Sequence, residues 1–237
     1  MEAAIYSLGL AAITFLAFLA LKWHDRRLAY TFGALCALYI GLDDLVTGLA
    51  SSVAALDLVG GEWNWSGKLY SLLLSAAVIA GLGVSAGAAA IALPQRNIRL
   101  GILSLVPLTL VGVILGLVFQ PPPPSGETLV FQALMPSLAE ELAYRGIAPA
   151  LLLGLIRGRD VPPGIPWAVV LIAAVPFSVV HGLSYSGGEF TFQLVPALYT
   201  FAGGLVYGWL RFSTGSLLFP ILAHSFANAA FHLTALG

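Results

Sequence analysis

Several side chains in the second half of this chain have the types and spacing that acyl transfer to water would use. Glu140-Glu141-Leu142-Ala143-Tyr144-Arg145-Gly146 comes first, Phe177-Ser178-Val179-Val180-His181 follows, and His224-Ser225-Phe226-Ala227-Asn228 comes last. On a helix, Glu141 and Arg145 are four residues apart and share a face, so the spacing predicts an ion pair. Glu140 is turned by about 100° from Glu141 and must look into another surface. A carboxylate there, without a partner, has the character of a general base. An acyl-transfer site that uses water needs a base for the water and donors for the oxyanion. Glu140 with His181 suits the first task. His224 with Asn228, on one helix face, suits the second. Plainer readings stand beside these. A Glu–Arg pair at helical spacing is commonly structural, and a lone His or Asn in an apolar helix commonly bonds to a neighbouring helix. What favours the chemical reading is that carboxylate, imidazole and amide come from three separate segments.

The elements that would position these groups are membrane helices. Hydrophobic residues make up 59 % of the 237 positions and charged residues 9 %, against about 25 % charged in an ordinary soluble domain. Mean hydropathy is +0.95. Such a chain has too little charge to cover a soluble globule and too much apolar content for disorder. A formal net charge of −1 leaves no basic field for nucleic acid. A single cysteine, Cys36, excludes a disulfide scaffold and a thiolate zinc cage. The class is therefore all-α, a polytopic transmembrane bundle.

Spanning helices need about 20 mostly apolar residues, and eight stretches qualify, near 3–21, 28–50, 69–93, 101–119, 130–156, 164–182, 192–210 and 216–235. The first has no basic leader and is followed by Lys22 to Arg27, so it reads as a span and not as a signal peptide. Lys22, Arg26, Arg27, Arg96, Arg99, Arg157, Arg159 and Arg211 fall in the loops of one face, and only Lys68 falls on the other. The positive-inside bias makes the first face cytoplasmic and puts both termini outside. Trp63 and Trp65 read as interfacial anchors on the outer side, and Asp43-Asp44 as solvated there. Pro121 to Pro124 form an extended connector. Leu183 to Glu189 read as an outer loop. No repeat or compositional break divides the chain, so residues 1–237 are expected to form one transmembrane domain, in a multi-pass protein of a bacterial or archaeal plasma membrane.

At the three motifs the chain resembles the CPBP family of intramembrane proteases, which includes the Rce-type CAAX prenyl endopeptidases and bacteriocin-processing or self-immunity proteins. The family pattern, Glu-Glu-x-x-x-Arg, Phe-x-x-x-His and His-x-x-x-Asn, occurs here in order, and the approach Gly215 to His224 is also similar. The resemblance covers about residues 128–232. It implies an endopeptidase working in a membrane cavity on a protein or peptide with a membrane-anchored or lipidated C-terminus, among membrane lipid. It implies that Glu140 and His181 activate water, that His224 and Asn228 hold the oxyanion, and that Glu141, Arg145 and Phe177 support them.

A metal would use Glu140, His181 and His224, a two-His-one-Glu set of the kind that holds zinc. Three ligands plus a separate base exceed the obvious inventory, so the reading favours a glutamate mechanism that requires no cofactor. Two rival classes remain. Intramembrane Glu, His and Asp with helix-breaking Pro and Gly also describe an ion- or proton-coupled transporter. A non-catalytic immunity or binding protein of the same fold is the other.

Overall fold

The computed structural model describes residues 2–20, 26–94, 96–155 and 163–236. Its elements are α1 (Glu2–Leu19), α2 (Arg26–Ser52), a 3-10 turn (Ala54–Leu56), α3 (Trp65–Leu82), α4 (Ile98–Phe119), α5 (Gly126–Glu141), α6 (Ala148–Leu152), α7 (Trp167–Gly182), the strands β1 (Leu183–Ser186) and β2 (Glu189–Phe192), α8 (Leu194–Thr214) and α9 (Leu218–Leu233). The chain is thus helical but for one hairpin. Among the described residues, three helices are long and apolar enough to cross a membrane, at Tyr30–Ser52, Trp65–Leu82 and Ile98–Phe119, while Ala4–Leu19 and Trp167–Gly182 are apolar but shorter.

Sequence explains most of the element ends. Asn64 caps α3 by accepting from Gly67 N, and Ser125 caps α5 by accepting from Thr128 N, each satisfying a helix-start N–H that has no intrahelical acceptor. The third apolar stretch ends as a helix at Leu82, not near 93. Gly83 is left-handed, and residues 84–94 form turns. The expected loop at 183–189 belongs to a two-residue hairpin, because Gly187 and Gly188, at φ +61° and +85°, make the tight turn such pairing favours.

Packing has two centres. Leu10, Phe18, Tyr39, Ile40, Tyr144, Ile147, Leu151, Ile172 and Phe177 form the core between α1, α2, α6 and α7. Elsewhere α4 lies along α9 through Gly112 and Gly116, where a β-carbon would run into the carbonyls of Ala227 and Phe231. This is the small-xxx-small contact of membrane helices.

Between Glu141 and Ala148 the helix widens into a π turn, Leu142–Ile147. Pro149 follows and has no N–H for the carbonyl four residues back. That carbonyl, Arg145 O, accepts instead from Arg211 Nε at 3.1 Å, and Arg211 Nη2 donates to Ala88 O at 2.6 Å. Arg211 is therefore not a cytoplasmic loop charge. It is 1 % exposed and ties α8 to α5–α6 and to the turns after α3.

Two further expectations fail for similar reasons. Asp43 is buried and accepts from Ser71 Oγ of α3 at 2.6 Å, and Asp44 accepts from Ser7 Oγ of α1 at 2.6 Å, so the acidic pair joins three helices. Trp63 and Trp65 turn inward. Their indoles donate to Thr128 Oγ1 at 3.1 Å and Glu127 Oε1 at 3.0 Å, and both rings pack on Phe131. Lys22, Arg157 and Arg159 lie outside the described residues, as do the side chains of Arg26 and Arg27.

Candidate active site

α5, α7, α8 and α9, with α3 and α4, enclose a cavity of ≈ 850 Å³. Glu140, His181, His224 and Asn228 all line it, as do Lys68, Gln132, Phe177, Tyr207 and His232. α5 and α9 run antiparallel and meet through a ladder of polar pairs: Glu141 with His224, Ser137 with Ser225 at 2.7 Å, and Gln132 with Asn228. The side chains of the last motif thus face α5 along one wall.

The two glutamates diverge as their 100° offset requires. Glu141 is fully buried, and its Oε1 accepts from Arg145 Nη1 at 3.1 Å and from His224 Nδ1 at 2.9 Å. Arg145 lies over the Phe177 ring, 3.8 Å from its centroid, a cation–π contact that helps hold the charge away from water. His224 sits between Tyr207, stacked at 5.6 Å, and the edge of Phe177 at 6.4 Å. Phe177 therefore packs against both partners of Glu141.

Glu140 faces the cavity, but it is not unpaired. Lys68 Nζ, in the first turn of α3, donates to Glu140 Oε1 at 2.7 Å. The lysine assigned to an outer loop is a wall residue, because its long stem carries the ammonium to the carboxylate. Glu140 Oε2 is buried with no hydrogen-bond partner among the described residues. It stands 3.8 Å from His181 Nε2. The other ring nitrogen, His181 Nδ1, is 2.7 Å from Phe177 O. A carbonyl only accepts, so Nδ1 carries the proton and the neutral ring turns a lone pair at Nε2 toward Glu140. Two acceptors thus face each other across a gap too long for a direct bond.

Asn228 Nδ2 donates to Gln132 Oε1 at 3.3 Å, leaving its second N–H free. The possible metal set does not gather. Among the described residues no three His, Cys, Asp or Glu side chains stand close enough to hold an ion. An ammonium already lies on Glu140, while the bonds at His224 Nδ1 and His181 Nδ1 leave the Nε2 atom of each ring uncommitted.

The family model described as Type II CAAX prenyl endopeptidase Rce1-like matches residues 125–230. That stretch is similar to the CPBP family of intramembrane proteases. The motifs that carry the resemblance all lie inside that match, and the family implies an intramembrane protease acting on a protein with a prenylated C-terminus. Neither a curated protein nor a solved structure matches the chain. Lys68 and His232 lie outside the CPBP match yet line the same cavity. Lys68 had a sequence signal, as the one basic residue on its face. His232 had another, since it repeats the four-residue step from His224 to Asn228.

Proposed function

We propose that this protein is an eight-span intramembrane endopeptidase that cleaves near the lipidated or membrane-anchored C-terminus of a protein or peptide. The shorter helices α1, α5–α6, α7, α8 and α9 complete the bundle with the three long ones. The observation that carries the reading is the pair of acceptors, Glu140 Oε2 and His181 Nε2, aimed at one point on the cavity wall. A water there gives one hydrogen to each. As its oxygen attacks the scissile carbonyl, the proton passes to Glu140 or His181 and then to the departing amine. Lys68 fixes the other oxygen of Glu140, so the free one keeps its aim.

The oxyanion falls to Asn228 and His224. Glu141 accepts from His224 Nδ1, and the other ring nitrogen, Nε2, is the one left to meet the substrate oxygen. Donors fixed before the reaction stabilise the developing charge without reorganisation. In this reading Glu140 is the base, and no step is routed through a metal.

Glu140→Gln tests the assignment. It keeps shape and removes the base, and cleavage of a prenylated CAAX peptide in proteoliposomes is expected to fall at least a thousandfold, with the melting temperature held. Undiminished cleavage overturns the role of Glu140. Ion flux through the same vesicles, lost in the variant, overturns the protease reading in favour of a transporter.

A further inference from the structure

His224, Asn228 and His232 descend one face of α9 in steps of four residues, and all three line the cavity. His232 lies two turns, about 12 Å along the axis, from His224. Its ring meets the edge of Trp63 at 6.2 Å and Phe231 at 5.1 Å. Trp63 stacks on Phe131 at 5.3 Å, so the residue after it, Gln132, stands at the same end of the cavity.

Partners decide what this end can bind. Lys68 is taken by Glu140, His181 Nδ1 by Phe177 O, His224 Nδ1 by Glu141, and Asn228 by Gln132 Oε1. The imidazole of His232 has no hydrogen-bond partner among the described residues, and neither has the amide nitrogen of Gln132. Both are donors, and both face an otherwise apolar and aromatic end wall. Two unused donors there call for an acceptor from outside the chain. The carboxylates of Glu62 and Glu127, near the same junction, do not line the cavity. Glu127 Oε1 holds Glu62 N, Trp63 N and the Trp65 indole, and Glu62 Oε2 accepts from Ser125 Oγ.

We propose that His232, with the amide of Gln132, is the subsite that receives the free C-terminal carboxylate of the peptide. This rests on the protease reading. The distances agree with it. An extended peptide advances about 3.3 Å per residue, so a short C-terminal segment spans the about 6 Å and about 12 Å of helix axis that separate His232 from the oxyanion donors Asn228 and His224. The subsite thereby acts as a ruler, setting how many residues leave. His232 is a specificity residue, not a catalytic one.

The test uses the full chain in proteoliposomes and a prenylated CAAX peptide made in two forms, free acid and C-terminal amide. The wild type is expected to prefer the acid about tenfold in kcat/KM, chiefly through KM. In His232→Ala the preference is expected to fall to about one. His232→Gln, which keeps a donor, is expected to retain part of it. Absence of a preference in the wild type overturns the proposal. So does a preference that survives His232→Ala, or one lost in Lys68→Met instead, which would put the carboxylate at the Glu140 end. The protease reading fails separately, by lack of cleavage of either peptide.

Discussion

Glu141 holds two partners on one buried oxygen, and that makes it more than the brace its spacing with Arg145 suggests. Removing the charge strands a guanidinium in a dry wall and frees His224 to rotate. Breaking a buried pair by changing one partner costs about 3–5 kcal/mol, so Glu141→Gln is expected to melt well below the wild type. If His224 holds the oxyanion as proposed, it is also expected to lose kcat more than KM, because Glu141 orients that histidine. Lower stability with kcat/KM intact would leave Glu141 purely structural. At this scale the sequence was a good guide to which residues meet. The ion pair with Arg145 follows from helical spacing alone, and so does the divergence of Glu140. Lys68 on Glu140 did not follow. Its contact depends on how far α3 is displaced along α5, which no local pattern encodes.

The elements show the same division. Composition and apolar length locate the long helices among the described residues, since a stretch without charge in a membrane protein has only that way to satisfy its backbone. The polar residues at helix flanks were harder to place. Arg211, Asp43 and the tryptophans all read as solvent- or interface-facing, because the sequence shows that a residue is polar but not that a carbonyl or hydroxyl elsewhere waits for it. Pro149 is the exception in hindsight. It leaves Arg145 O without an intrahelical donor, and Arg211 supplies one. Arg211→Met is accordingly expected to strand Arg145 O and Ala88 O. At about 1–3 kcal/mol for each buried group left unsatisfied, thermal unfolding of the purified protein should shift down by several degrees. An unshifted melt would mean that water or another group takes over both carbonyls. The α4–α9 contact gives a cleaner case. Gly112→Leu drives a side chain into the Ala227 carbonyl, one residue from Asn228. Activity should fall through displacement of that wall, and Gly81→Ala, where a β-carbon meets nothing within 4 Å, should be tolerated.

For the whole molecule the open question is which membrane face the cavity serves, and the buried arginine sharpens it. With Arg211 inside the protein and Lys68 on the wall, the positive-inside comparison rests on Lys22, Arg26, Arg27, Arg96, Arg99, Arg157 and Arg159 against no loop lysine or arginine on the other face. The bias is as one-sided as before. Glu127, the hairpin and the His232 end of the cavity all lie at helix ends opposite the one that carries Arg96 and Arg99, since α5 begins there, α7 and α9 finish there, and β1–β2 joins α7 to α8. The proposed carboxylate subsite then faces outward, on the opposite side from the cytosol. A cysteine at Gly188, in the hairpin turn, reports on this directly, and the native Cys36 is buried and silent. In intact cells an impermeant maleimide is expected to label Gly188→Cys, while a cysteine at Arg99 should react only after lysis. The reverse pattern would turn the bundle over and present the cavity to the cytosol. Substrates would then have to be intracellular lipidated proteins, where the outward arrangement selects those already exported.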